Sequence, residues 1–441
     1  MRDRLYLTPG MFGFGKLASY DYFAHVAREL RRRFEDRGIE LETHVVDVAP
    51  TASIRRRASR LAEVVAATAR GDEGPIHLLG HSTGGLDSRL VASPSSHLPV
   101  SKEKLAWLPR LRSVTTMNTP HYGTPLASFF ATVSGQRMLY AVSALTFVAL
   151  SLGAPPLAAA SALAATVAQL DRAVLGMDIR LIDRTTEALM RALEPATSRQ
   201  LRDYLDAITK DQGAVIQLTP EAMDLFQAGV EDRPGVLYQC TCAMAPPPSA
   251  RRLARSMSSP WRAVSSTLFA TLYGITSRYD ERYPCAPPES SSEAALAKAF
   301  GKAPPLRAND GVVPVRSQVW GKIVWAGAGD HLDVLGHFPS LARDSKRGIV
   351  SRFVGRFWRE RSSVDAIGVD AIGSPAWREA RRTEIAAEVA VERAARTGGT
   401  APEPGADTRH VDWLTSGAGF DETAFASLMD AIADGMIEAR T

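Results

Sequence analysis

Cysteine is nearly absent: Cys240, Cys242 and Cys285 are the whole set in 441 residues. Three is odd and sparse, and no CxxC or Cys/His spacing suits zinc, so neither a disulfide framework nor a zinc module is implied, and a reducing compartment is expected. Lysine is scarce as well. Only 8 of the 52 basic residues are lysine, and against 48 acidic residues the net charge is +4 with no concentrated basic stripe, which argues against a nucleic-acid partner. The opening MRDRLYLTPGMFGFGK has no apolar run of seven or more after its basic residues. A cleaved secretory signal is therefore not expected, and a cytoplasmic location is. Charge is missing altogether from residues 138–170.

What is present is ample apolar mass, 45% of residues, enough for a globular core. Up to about residue 127, short apolar runs at 4–7, 44–48, 76–79 and 113–117 alternate with helical periods. Phe23, Val26, Ala27, Leu30 and Phe34 form one stripe, and Ile54, Ala58, Leu61 and Val65 another. Alternating strands and one-sided helices predict βα units around a mostly parallel sheet, an α/β fold. Residues 128–215 read as a helical insertion. Strands resume at 236–241 and 322–325, so 216–361 completes the sheet, interrupted by a Pro/Ser/Arg-rich excursion at 245–307. Residues 362–441 read as a helical extension with a Gly/Pro linker at 397–408. Its last helix, after Asp421, carries Phe425, Leu428, Met429, Ile432 and Met436 at helical spacing and needs something to pack on.

The run at 76–79 leads into Gly80-His81-Ser82-Thr83-Gly84, and a helical pattern follows. In a G-x-S-x-G turn the serine backbone is strained, and glycines let strand and helix approach closely enough to present the hydroxyl. The pattern alone is weak and can be a plain Gly-rich turn; an apolar strand before it and a helix after it favour a nucleophile. A serine needs a base, and the base an orienting acid. Downstream stand Asn309-Asp310-Gly311-Val312 and Asp330-His331-Leu332-Asp333. His331 follows a strand and a flexible Gly327-Ala328-Gly329, which favours it as base, with His337 as rival. The glycine turn after the first strand, Thr8 to Gly13, suits backbone N–H donors for a developing oxyanion. Met11 and Thr83 are the expected pair. His121 reads as a structural loop histidine, and Asp87 as an ordinary surface or pairing carboxylate.

PGMFGF near the start, GHSTGG, TMNTPHYGTPLASF, LTPEAMDLF, ANDGVV and DHLDVL occur in that order. With these pieces the chain resembles the bacterial triacylglycerol lipases of the Pseudomonas and Burkholderia type, in the α/β-hydrolase superfamily. The resemblance implies that fold with a helical lid, and a lipase or esterase acting on apolar acyl esters. It implies Ser82 as nucleophile, Asp310 as acid, His331 as base, and Met11 and Thr83 as oxyanion donors. Pro9 stands where those lipases usually carry histidine, and the cysteines do not reproduce their disulfide. Those lipases also hold calcium. Asp333 matches one ligand position, and Asp280 and Glu281 lie in the right excursion without a fixing match, so the metal stays open. An acyltransferase, phospholipase or polyester depolymerase with the same triad, or a non-catalytic lipid-binding shell, is the alternative.

The uncharged 138–170 is divided by Pro155 and Pro156 into pieces shorter than the roughly 20 residues of a bilayer span. A lid contacting a lipid interface, a buried cap and a membrane hairpin are the three readings, the lid being favoured. If it is a lid, Leu145→Ser with Phe147→Ser weakens binding to emulsified long-chain ester more than it slows hydrolysis of a short soluble ester. Equal loss of both in parallel assays indicates a buried cap.

Overall fold

The computed structural model describes residues 2–11, 16–17, 20–71, 73–132, 135–136, 138–140, 142–144, 195–256, 260–279, 290–338 and 414–440. Six strands form one parallel sheet: β1 Asp3–Thr8, β2 Leu41–Val45, β3 Ile76–His81, β4 Leu111–Met117, β5 Leu237–Met244 and β6 Lys322–Ala328, in the order β2-β1-β3-β4-β5-β6. With helices on both faces and the order reversing beside β1, this is the α/β-hydrolase fold that the sequence predicts. Parallel strands need crossovers, and the crossovers supply those helices.

The two-residue period of β1 divides its side chains between the faces. Leu5 and Leu7 belong to one hydrophobic cluster with Phe23, Val26, Leu30 and Phe34 of helix α1, Ala24–Glu35, and its N-cap. Tyr6 belongs to the opposite cluster, with Ala58, Leu61 and Val65 of helix α2, Ile54–Thr68. Ser53 caps α2 by accepting the Arg56 N–H. The second strand pairs three residues earlier than expected: Leu41–Val45 lies beside Asp3–Leu7, while Val46 and Val48, read as strand from their apolarity, are buried just past its end.

The excursion at 245–307 holds helices Ala250–Ser256, Pro260–Thr276 and Ser290–Phe300. Pro260 opens the second of these helices, where its missing N–H is no loss. Leu268, Phe269 and Leu272 of that helix enter the main cluster. Of the insertion, Met138, Leu139 and Val142 at one end and Leu201, Leu205 and Ile208 at the other are buried in the same cluster; the lid, cap and hairpin readings rest mostly on residues outside the described ones. Most of the helical extension expected from residue 362, with its linker at 397–408, also lies outside them. Among the described residues no helix is long and apolar enough to cross a membrane. Cys240 and Cys242 are buried free thiols.

The last helix, Glu422–Glu438, packs against α1, β4, β5 and β6. Sequence reasoning set 362–441 apart as an extension; the structure places Phe425, Leu428, Met429, Ile432 and Met436 inside the main core. That apolar stripe covers a sheet face that α1 alone leaves open. Arg33 donates to Asp430 at 2.6 Å, Arg37 pairs with Asp434, and Arg440 reaches the buried Asp3 at 2.8 Å. The buried apolar stripe carries most of the attachment, and an exposed ion pair such as Arg37–Asp434 adds little. Ile432→Ala is expected to cost about 2–5 kcal/mol in urea unfolding, and Asp434→Ala, 53% exposed, less than about 1 kcal/mol.

Candidate active site

Strand β3 ends where helix α3, Thr83–Ala92, begins, and Ser82 lies between them with φ 54° and ψ −128°. Two close approaches force this turn. A Cβ at Gly80 would lie 2.1 Å from the Gly84 carbonyl, and one at Gly84 would lie 2.0 Å from the Thr8 carbonyl oxygen. Only glycine fits either position. The Ser82 N–H donates to the Met117 carbonyl at 2.9 Å, tying the turn to the end of β4. As the first residue of α3, Thr83 has a backbone N–H with no intrahelical acceptor. Met11, Ser82, Thr83 and His331 line one cleft of about 360 Å³ counted to its open mouth, with Leu126, Phe130, Leu218 and Val312 among its apolar walls.

Asp310 is fully buried. Its Oδ2 accepts from His331 Nδ1 at 2.8 Å, and its Oδ1 from the N–H groups of Val312 and Val313 at 2.9 and 2.7 Å. The His331 N–H donates to the Asp310 carbonyl at 2.9 Å, so the two loops hold each other in backbone and side chain. With Nδ1 donating, the imidazole lone pair lies on Nε2. The five expected site residues thus meet: Asp310 bonds His331, and His331, Ser82, Met11 and Thr83 share the cleft. His337 is buried elsewhere, edge-on to His25 at 5.6 Å between ring centres.

Three contacts around these residues were missed by sequence reasoning. His81, inside the GHSTG motif, bonds the His331 carbonyl through Nε2 at 2.8 Å and the Tyr22 hydroxyl through Nδ1 at 2.8 Å. The Gly10 N–H donates to the Tyr22 oxygen, which leaves the Tyr22 hydroxyl to donate to Nδ1 and His81 Nε2–H to donate to the carbonyl. Burial, and then the neighbouring His331, hold the His81 imidazole well below its usual range, so it stays neutral. Asn118 donates to Asp310 Oδ2 at 3.0 Å. Arg57, fully buried, bonds Asp87 at 2.8 Å and donates to the carbonyls of Pro9, Ala49 and Pro50. Asp87 is thus a pairing carboxylate and not a surface one; burial pushes its carboxyl up to about 6 against the pull of Arg57. The Pro9 carbonyl ties the turn that carries Met11 to this pair, a link no spacing in the sequence announces.

His121 sits under the sheet's end as a structural residue, bonding Thr116 Oγ1 at 3.1 Å, its imidazole held well below the usual range by burial and the nearby Arg89. For calcium, Asp333 accepts the Asp330 N–H at 2.8 Å, and among the described residues no three His, Cys, Asp or Glu side chains converge as a metal site. Calcium takes six to eight oxygens; the other two carboxylates of that reading, Asp280 and Glu281, lie outside the described residues.

No protein-family model matches the chain. A triacylglycerol lipase of Vibrio cholerae is 32% identical over 127 residues, 29% of this chain and 35% of the relative. The chain therefore matches about a third of that relative's length. This likeness concerns lipases in general and does not single out the Pseudomonas and Burkholderia type. Solved structures with a similar fold include EstA from Clostridium botulinum, at 17% identity and TM-score 0.44 over 77% of this chain and 84% of that one. Another is Staphylococcus hyicus lipase, at 16% identity and TM-score 0.40 over 82% and 97%.

Breaking a buried ion pair by removing one partner strands the other charge. Arg57→Ala is expected to destabilise by about 3–5 kcal/mol in denaturant unfolding. Adding Asp87→Ala to it costs less than the sum of the two single losses, because the stranded charge is gone.

Proposed function

We propose that the protein is a serine hydrolase of carboxylic esters with apolar acyl chains. The 2.8 Å contact of His331 Nδ1 with a fully buried Asp310 carboxylate, in a cleft shared with the strained Ser82, is the observation that carries this reading. In the first step Ser82 Oγ attacks the ester carbonyl while His331 Nε2 takes the hydroxyl proton. Asp310 keeps the imidazole in the right tautomer and stabilises the imidazolium that forms. Negative charge on the carbonyl oxygen is met by the backbone N–H groups of Met11 and Thr83, fixed before the charge develops. Collapse breaks the bond to the alcohol, which leaves with the proton from His331. Water, deprotonated by the same nitrogen, then attacks the acyl-enzyme and releases the acid and free Ser82.

The cleft walls supply the substrate class. Apolar side chains around the nucleophile favour a hydrocarbon acyl chain, and triacylglycerols, the substrate in the name of the Vibrio relative, are the long-chain end of that class. Contact with a lipid surface through 138–170 belongs to the same proposal. Catalysis needs no cofactor in this scheme.

If the three groups act as a unit, Ser82→Ala, His331→Ala and the double variant keep nearly the same residual rate on a nitrophenyl ester. A fluorophosphonate probe labels the wild type and not Ser82→Ala. The rate kcat/KM rises with pH along a limb set by a neutral histidine; a flat profile between about pH 5 and 9, the range around an ordinary imidazole titration, rejects a histidine base.

A further inference from the structure

Among the described residues two other than glycine have positive φ, Ser82 at 54° and Asn118 at 48°. They follow neighbouring strand ends, since β4 stops at Met117. The elbow accounts for Ser82. Asn118 needs its own account, because the left-handed region is unfavourable for any side chain, though asparagine tolerates it better than most. Its N–H donates to the Thr241 carbonyl of β5 at 3.3 Å. Its side chain is fully buried, Nδ2 donates to Asp310 Oδ2 at 3.0 Å, and Oδ1 has no hydrogen-bond partner. A carboxylate only accepts, so the amide must face it with its nitrogen. A strained backbone and an unsatisfied buried oxygen are both unfavourable, and residues of this kind persist where the surrounding site requires them.

The oxygen that Asn118 bonds is the one that takes His331 Nδ1–H. Resting on the triad reading above, we propose that Asn118 is a positioning residue: its amide shares Asp310 Oδ2 with the imidazole, fixing the carboxylate and limiting its pull on the imidazolium. Each donor on a carboxylate oxygen disperses part of its charge. Without the amide, Oδ2 offers more charge to a protonated His331, which then gives up its proton at higher pH, and the carboxylate is held by one side-chain donor fewer. The other titratable groups around this pair stay in place. His81 lies with its ring centre 4.6 Å from that of His331. The Cys242 thiol is pushed up by Cys240, by burial and by Asp310 itself, so it stays neutral. Asp330 and Asp333 are tied up in their own turn. Asn118 is not part of the cleft wall, so substrate binding does not depend on it directly.

The test uses the full chain with Asn118→Gly and Asn118→Ala. Glycine takes the left-handed backbone without strain; alanine removes the amide and keeps the Cβ, and neither adds a charge beside Asp310. On a short soluble nitrophenyl ester, Asn118→Gly is expected to lower kcat about tenfold, the scale of one hydrogen bond to a charged group, with KM little changed. The acid limb of kcat/KM moves up by roughly half to one pH unit in both variants. Should the glycine variant fail to fold, the alanine variant carries the same readout. Ser82→Ala and Asp310→Asn are measured alongside. If either keeps wild-type activity, the triad reading itself is wrong. If both are inactive and the acid limb of the Asn118 variants is unmoved, whether kcat is intact or has fallen with thermal stability, the triad stands and the inference about Asn118 is overturned.

Discussion

A carboxylate with no exposed surface lies at the meeting point of three segments that are far apart in sequence. Asp310 takes donors from His331, from Asn118 beyond β4, and from the backbone of Val312 and Val313. Burying an ionised carboxylate is unfavourable by several kcal/mol unless its lone pairs are met, so these segments have little freedom to be anywhere else. The position of the imidazole, the end of β4 and the register of the 309–314 turn are consequences of that requirement. Ser82 is fixed to the same frame by its bond to the Met117 carbonyl, one residue from Asn118.

Around that frame the supporting contacts are polar and buried. Tyr22 and His81 connect the Gly10 turn to the His331 carbonyl, and Arg57 connects the Pro9 carbonyl to Asp87 on α3. The turn carrying Met11 is therefore braced from both sides, by a neutral chain and by an ion pair. In a medium of low dielectric such bonds are stiff, and they leave few alternative arrangements for the backbone donors they hold.

How much of this could be read beforehand follows from the range of each signal. Period-two and period-3.6 patterns are local, so most of the sheet, α1 and α2 were legible, as was the Gly80 to Gly84 elbow with its flanking elements. The second strand was displaced because Val46 and Val48 are apolar for reasons of the α2-side core, and hydropathy alone does not distinguish a buried loop from a strand. The helices of 245–307 were hidden by prolines that open elements as readily as they end them. Asp310 and His331 stood out within glycine-rich turns. Asn118, Tyr22 and Arg57 did not, since their roles depend on which strand ends are neighbours.

Arg33 and Asp430 touch although 397 positions apart in sequence, and that separation bears on how the chain folds during synthesis. The face of β4, β5 and β6 is covered by the Glu422–Glu438 helix, so those strands can all have left the ribosome while their apolar face still lacks its partner. Contacts this distant are slow to form, and an open sheet face is a hazard for association while they are awaited. The core beneath the Ser82 turn accordingly closes only when the Glu422–Glu438 helix docks, after every strand of the sheet has been made.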